Sequence, residues 1–113
     1  MIRIMAVLLL IFSTGANANQ EDEIKHLLMF VATTSCTYER NGSFHNGGEA
    51  RNHINKKYQY YKNKVKSTED FIKYAATKSS ISGRKYKIHC AQSATINSSD
   101  WLLEELKIYR KLR

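Results

Sequence analysis

The stretch that decides the fold runs Ser35-Cys36-Thr37-Tyr38-Glu39-Arg40-Asn41-Gly42-Ser43-Phe44-His45. Two short segments flank Asn41-Gly42, a pair that favours a two-residue type I′ turn because both central residues of that turn need positive φ. The stretch therefore predicts a β-hairpin. A further half-buried strand is predicted downstream, where Tyr86, Ile88 and Cys90 alternate with Lys85, Lys87 and His89.

Amphipathic helices are predicted on both sides of these strands. One helix is expected over 20–32, with Glu21, Asp22 and Glu23 in its first turn, and a second from Glu49 to about Lys66 after a break at Gly47-Gly48. Two more are expected, from the N-cap Ser67 to about Lys78 and from Ser99-Asp100 onward. Their apolar stripes comprise Ile24, Leu27, Leu28 and Val31; Ala50, Ile54, Tyr58, Tyr61 and Val65; Phe71, Ile72, Ala75 and Ala76; and Trp101, Leu102, Leu106 and Tyr109. Residues 91–98 are expected to form a polar connection. The predicted fold class is α+β, with about four helices packed on a small antiparallel sheet made of the hairpin and one further strand.

The amino terminus has the pattern of a secretory signal peptide. Arg3 is followed by an apolar run over 4–12 and by small residues that end in Ala16-Asn17-Ala18. The apolar run is under half of the roughly 20 residues that a membrane-spanning helix needs. We therefore predict a cleaved signal peptide over 1–18 and a single domain over 19–113, exported to the periplasm or secreted.

Charge and cysteine content suit such an exported domain. Cleavage would remove one of 18 basic residues and none of 10 acidic ones, so a strongly basic chain remains. This balance favours polyanionic neighbours, including anionic lipid head groups, acidic glycans or nucleic acid, although it also describes a well-solvated surface. Cys36 and Cys90 are predicted to form a disulfide in an oxidising compartment, since neither has the spacing of a metal site. No metal or cofactor is expected.

Several short segments together resemble a known family. They are Ile24-Lys25-His26-Leu27-Leu28, Arg40-Asn41-Gly42, Glu49-Ala50 with His53 and Tyr58, Ser67-Thr68-Glu69-Asp70-Phe71-Ile72, Ser79-Ser80-Ile81-Ser82-Gly83 with Tyr86, and Trp101-Leu102. In this order the chain resembles a family of small exported bacterial proteins known as a domain of unknown function, which includes an uncharacterised enterobacterial periplasmic protein. The resemblance implies an exported α+β domain and supplies no activity.

The polar residues of these segments are the candidate binding residues: Arg40, Asn41, Glu49, His53, Ser80, Ser82, Gly83 and Tyr86. Glu49 and His53 are four residues apart on one helix, so Glu49 could orient His53 or raise its pKa. Alternatively, Glu49 favours the helix N-terminus while His53 packs at the core boundary. The leading hypothesis is a non-enzymatic module that binds a protein or an anionic envelope component.

Two other functions are considered. The first is a small hydrolase acting on a polyanion such as RNA with two histidines and a lysine, although the four histidines lie on four different segments and no catalytic residue is assigned. The second is an electrostatic nucleic-acid binder using the run from Lys56 to Lys64. Helical spacing leaves only Tyr60 of that run facing outward, so nucleic acid is not the favoured partner. Ser82-Gly83-Arg84-Lys85 matches S-x-x-K by chance, with Gly83 expected at positive φ. The serines from Ser79 to Ser82 are expected to satisfy backbone groups at a helix C-terminus, or to form a small anion pocket.

Overall fold

The computed structural model describes residues 13–112, and side-chain surroundings are described for 19–112. In chain order the elements are α1 (Ser13–Ala32), β1 (Thr37–Arg40), β2 (Ser43–His45), α2 (Gly47–Tyr61), a short 3-10 helix (Lys62–Lys64), α3 (Thr68–Ala75), β3 (Lys87–His89), β4 (Ile96–Asn97) and α4 (Ser98–Leu112). The α+β class with four helices and an antiparallel sheet is therefore confirmed. The predicted signal peptide over 1–18 lies largely outside the described residues, and its cleavage stays a prediction.

The sheet has four antiparallel strands in the order β2-β1-β3-β4. The predicted hairpin is confirmed: β1 pairs with β2, and Asn41 and Gly42 have φ of 51° and 83° at the turn. The predicted downstream strand is also confirmed as β3, which pairs with β1 so that Tyr38 faces Ile88. The expected polar connection over 91–98 was wrong in part, because Ile96–Asn97 add a fourth strand to β3.

One face of the sheet packs on the helices. Tyr38 and Ile88 are buried on that face, together with most of the predicted helix stripes. The hydroxyl of Tyr38 lies 2.7 Å from that of the buried Ser98, and burial raises the pKa of Tyr38 far above its usual value. Burial of these apolar side chains supplies most of the free energy that stabilises such a domain. The opposite face of the sheet is open to solvent.

The start of the second helix differs from the prediction for a local reason. Helix α2 begins at Gly47, because the Asn46 side chain accepts from the Glu49 amide while the Glu49 side chain accepts from the Asn46 amide. This capping box makes the two glycines the first turn of the helix rather than a break. A Cβ on Gly47 would lie 2.4 Å from the carbonyl oxygen of Val31, so a glycine is needed where α1 and α2 meet.

The C-terminal ends of α2 and α3 come earlier in the chain than predicted. Regular α-helix stops at Tyr61, and a 3-10 turn carries the chain to the buried Val65. Helix α3 has the predicted N-cap, with Ser67 Oγ accepting from the Asp70 amide, but it ends at Ala75 rather than near Lys78. The segment that follows leaves the helix and forms an isolated antiparallel bridge between Lys78 and Lys85.

Glu23 has a different role from the predicted one at a helix N-terminus. Because α1 begins at Ser13, Glu23 lies within the helix, where it is buried. Its carboxylate accepts from the Thr68 hydroxyl at 2.6 Å and from Arg110 at 2.8 and 3.0 Å. Arg110 also donates to Glu69 at 2.7 Å and thereby lowers the pKa of Glu69. This network, the Glu23–Arg110 network, joins α1, α3 and α4.

The predicted disulfide between Cys36 and Cys90 is present, with 54 residues of sequence separation. Cys36 immediately precedes β1 and Cys90 immediately follows β3, so the bond links the two central strands at one end of the sheet. Among the described helices, none is both long enough and apolar enough to cross a membrane.

Candidate functional site

An open cleft of about 430 Å³ lies between the hairpin turn, the outer flank of α2 and the segment that leads into β3. We refer to it as the α2 cleft. The residues that line it are Arg40, Asn41, His53, Lys56, Lys57, Tyr60, Tyr61, Ser79, Ser80, Ile81 and Tyr86. Of the described residues that line the cleft, none is Asp or Glu, so its walls carry positive charge without an acidic counterpart.

Arg40 stands at the end of β1 and projects toward α2. Its Nη1 lies 3.4 Å from His45 Nε2, within hydrogen-bond distance. The other ring nitrogen of His45 faces the carboxylate of Glu49 at 3.6 Å. Arg40 Nε is buried and has no hydrogen-bond partner among the described residues. A buried N–H without an acceptor is energetically costly.

His53, Tyr86 and Lys57 form the floor of the cleft. The Lys57 ammonium donates to the Lys78 carbonyl at 2.7 Å and to the Tyr86 hydroxyl at 3.2 Å. The same hydroxyl lies 3.3 Å from His53 Nε2. Because the tyrosine oxygen already accepts from Lys57, its own proton is available for the neutral imidazole. The three side chains thus hold one another in position across α2 and the start of β3.

The pKa of His53 is lowered by burial and by the positive charges of the cleft. Its pKa falls from 6.5 to about 4, first because burial disfavours the imidazolium and then because Arg40, Lys57, His45 and Lys56 repel it. An imidazole with this pKa is neutral near pH 7. The prediction that Glu49 raises the pKa of His53 was therefore wrong, and Glu49 instead caps the helix beside His45, as the alternative interpretation had it.

The turn from Ser79 to Gly83 forms the wall opposite α2. Ser79 Oγ accepts from the amides of Ile81 and Ser82, each at 3.2 Å, and the Ser79 amide donates to the Arg84 carbonyl at 2.9 Å. Gly83 has φ of +78°, as predicted. The expectation that these serines serve the C-terminus of α3 was wrong, because that helix ends at Ala75. The hydroxyls of Ser79 and Ser82 accept from amides of the turn itself, and the Ser80 hydroxyl lies 3.0 Å from that of Tyr61.

The structure brings together most of the eight predicted binding residues. Arg40, Asn41, His53, Ser80 and Tyr86 line the α2 cleft. Ser82 lies behind it and donates from its hydroxyl to Asn41 Oδ1 at 2.6 Å, which positions that side chain. Glu49 and Gly83 do not line it: the former is part of a helix cap, and the latter shapes the turn.

The eight predicted binding residues omit six residues that line the cleft, one of which is Ser79 at the start of the turn described above. Lys56, Lys57, Tyr60 and Tyr61 are on the flank of α2 that continues from His53, and Ile81 is at the tip of the opposite turn. The spacing of four from His53 to Lys57 is the sequence signal for that flank. Ile81 has no such signal, because a lone isoleucine among serines does not reveal which way it faces.

A second depression, of about 610 Å³, lies on the solvent face of the sheet. It contains a chain of hydrogen bonds from the Thr95 hydroxyl to His89 Nδ1 at 2.9 Å and from His89 Nε2 to Glu39 at 2.7 Å. Asn41 lines both depressions. Across the described part of the chain, no three His, Cys, Asp or Glu residues are placed to hold a metal ion.

Comparisons with known proteins point to relatives without an assigned activity. The sequence model of a family of unknown function (DUF5329) matches residues 18–110. An uncharacterised protein, YfeK, from Salmonella typhimurium (strain LT2) is 34% identical over 85 residues, which cover 73% of this chain and 71% of that protein. No solved structure matches the chain.

Proposed function

This chain belongs to the family of unknown function DUF5329, and we propose from that premise that it is a non-enzymatic binding module that holds an anionic group in the α2 cleft. The anionic group belongs to an envelope component or to a protein. One observation carries the proposal: Arg40, Lys56 and Lys57 converge on the cleft, while no acid is among its described lining residues. Like charges placed together repel, and a bound anion relieves that repulsion.

The state of Arg40 supports an anion with oxygen acceptors. Its Nη1 is engaged with His45, whereas Nε is buried without a partner among the described residues. The Nε and Nη2 groups form one edge of the guanidinium, and that edge matches two oxygens of a carboxylate or phosphate. Because Nε is buried, the Arg40 side chain would have to move for a ligand oxygen to reach this edge and satisfy the unpaired donor.

The chemistry of His53 favours binding over hydrolysis. General bases work best with a pKa near the operating pH, and a pKa of about 4 makes His53 a weak base near neutrality. Its hydrogen-bond partner is Tyr86. A hydrolase that uses two histidines and a lysine is therefore the weaker alternative. The nucleic-acid alternative has Tyr60 as its exposed ring in this cleft, and one ring makes a poor platform for stacked bases.

The proposed module acts outside the cytoplasm. The n-region, apolar run and small-residue site over 1–18 support export, and the Cys36–Cys90 bond supports an oxidising compartment because such bonds are rare in reducing ones. Mass spectrometry of protein purified from an exporting host checks this. The expected mass starts at Asn19 and is two hydrogens below that of the reduced chain, and an intact Met1 terminus would contradict export with cleavage.

Binding in the cleft is tested with small soluble anions. We expect inorganic pyrophosphate to shift the backbone amide resonances of 40–41, 53–61 and 79–86 in NMR titrations. Lys56→Glu reverses a charge on an exposed side chain of the cleft, so pyrophosphate affinity should fall at least about tenfold. Lys107→Glu makes the same change on an exposed position of α4 and is the matched control.

A second titration uses citrate in place of pyrophosphate, and the ratio of the two affinities distinguishes recognition of carboxylates from recognition of phosphates. Equal losses in the two variants, or amide shifts spread evenly over the surface, would contradict a specific cleft site. The melting temperatures of both variants should stay near that of the parent protein, because neither lysine is buried.

A further inference from the structure

Two apolar or aromatic side chains at the mouth of the α2 cleft are unusually exposed. Ile81 is 98% exposed and Tyr60 is 82% exposed, and both line the cleft. Tyr61 lies between the helix and the turn that carry them: its ring meets that of Tyr60 edge-on at 4.8 Å, and its hydroxyl lies 3.0 Å from Oγ of Ser80, the residue before Ile81. We call Tyr60 and Ile81 the apolar rim.

The turn holds Ile81 outward by construction. The Ile81 amide donates to Ser79 Oγ, the Gly83 amide donates to the Ser79 carbonyl at 3.0 Å, and Gly83 has the positive φ that closes the turn. With its backbone fixed in this way, the isoleucine cannot fold back onto the core without breaking these bonds. An exposed isoleucine alone would be unremarkable, but here it borders a cationic cleft.

The combination has the character of a surface that binds at a membrane interface. Apolar and aromatic groups enter the boundary between head groups and acyl chains, while neighbouring Lys and Arg side chains contact anionic head groups. Tyrosine suits this boundary because its ring is apolar and its hydroxyl stays hydrated. Arg40, Lys56 and Lys57 line the same cleft as the two members of the apolar rim, so a lipid phosphate held there would lie beside the rim.

We propose that the apolar rim and the α2 cleft together dock this protein on an anionic lipid bilayer. Ile81 and Tyr60 enter the interface, and the cleft takes the phosphate of a lipid head group among Arg40, Lys56 and Lys57. This inference rests on the proposed function and names the source of the anion. A soluble anion offers Ile81 nothing to bury against, whereas a bilayer satisfies the cleft and the rim at once.

Vesicle binding tests the proposal. The protein is purified from an exporting host with its N-terminus verified by mass, so that the apolar run over 4–12 does not itself bind lipid. It is then sedimented with vesicles of phosphatidylcholine, alone or with 30% phosphatidylglycerol. We expect binding to the mixed vesicles only. Burial of one isoleucine side chain corresponds to about tenfold or more in affinity, so Ile81→Ser should weaken binding by at least about tenfold.

Matched variants separate the rim from general surface effects. Met29→Ser removes another exposed apolar side chain, on α1 and away from the cleft, and should leave vesicle binding unchanged. Lys56→Gln should reduce binding to the anionic vesicles by about fivefold, the effect of one basic residue near such a surface. Lys107→Gln is its control. Equal binding by Ile81→Ser and the parent protein would overturn docking through the rim.

Pyrophosphate distinguishes failure of this inference from failure of the proposed function. Pyrophosphate should bind the parent protein and should compete with the anionic vesicles for it. Pyrophosphate binding without vesicle binding would overturn the membrane proposal and leave the binding module standing, with a soluble anion or an acidic protein as its ligand. Absence of both would overturn the two together.

Discussion

Acid should destabilise this protein through His53. The pKa of His53 falls from 6.5 to about 4 in the folded chain, so the unfolded chain binds a proton more readily below pH 6.5. Stability that is present above pH 6.5 is therefore lost as the pH falls from 6.5 toward 4. At pH 5 the full shift corresponds to a loss of about 2 kcal/mol, and partial exposure of the ring reduces this to about 1 kcal/mol.

Urea denaturation at pH 7.5 and pH 5 measures this loss, with fluorescence of Trp101 as the reporter because its ring packs against Phe30. His53→Gln keeps a polar partner for Tyr86 but cannot take up a proton, so its free energy of unfolding should fall less between the two pH values. The ion pairs of His26 with Glu105 and of His89 with Glu39 are common to both proteins and cancel in the comparison. An equal loss in the two proteins would refute the assignment to His53.

Three further predictions concern stability, each measured by urea denaturation. Reduction of Cys36–Cys90, or its replacement by two serines, should cost up to about 4 kcal/mol because the bond spans 54 residues, and an unchanged denaturation midpoint would contradict this. Arg110→Met should lower the free energy of unfolding by about 3 kcal/mol, because it removes the ion pair that Arg110 makes with the buried Glu23 carboxylate. The double variant with Glu23→Leu should lose less stability than the sum of the two single changes, and additive losses would argue against coupling of the two residues. Gly47→Ala should lower the free energy of unfolding by about 2 kcal/mol, because its Cβ would clash with the Val31 carbonyl oxygen. Gly48→Ala, whose nearest atom would be 3.6 Å away, should be neutral or slightly stabilising. Similar effects at the two positions would show that the close packing of α1 on α2 does not require a glycine at position 47.

Local patterns explain which parts of the fold could be predicted. Asn41-Gly42 specifies its turn through backbone sterics alone, and the stripe around Ile24 and Leu27 reflects the helical period, so both were predicted correctly. Strand β4 has only two residues, too few for an alternating pattern. Asn46 was missed as a cap because the glycines that follow it also suit a break in the chain.

The site residues that could be predicted are those that local structure places, and the contacts that depend on tertiary packing could not be predicted. Arg40 and Asn41 were placed by the hairpin, which is local. The partner of His53 was not predictable, because Tyr86 lies 33 residues away and reaches it only through the packing of β3 beside α2. Glu23 likewise looked like an acid at a helix end, and its contacts with Thr68 and Arg110 depend on how three helices pack.

The position of the disulfide has a consequence for strand pairing itself. Strand β1 has four residues and β3 has three, so few backbone contacts distinguish the observed pairing from one shifted along the chain. A shift by one residue would turn Tyr38 or Ile88 to the solvent side and would displace Arg40 from Tyr86. A covalent bond between the residues that flank Thr37 and His89 excludes such shifted pairings. Formation of this bond during folding therefore selects the alignment that assembles the cleft at the far end of the same two strands.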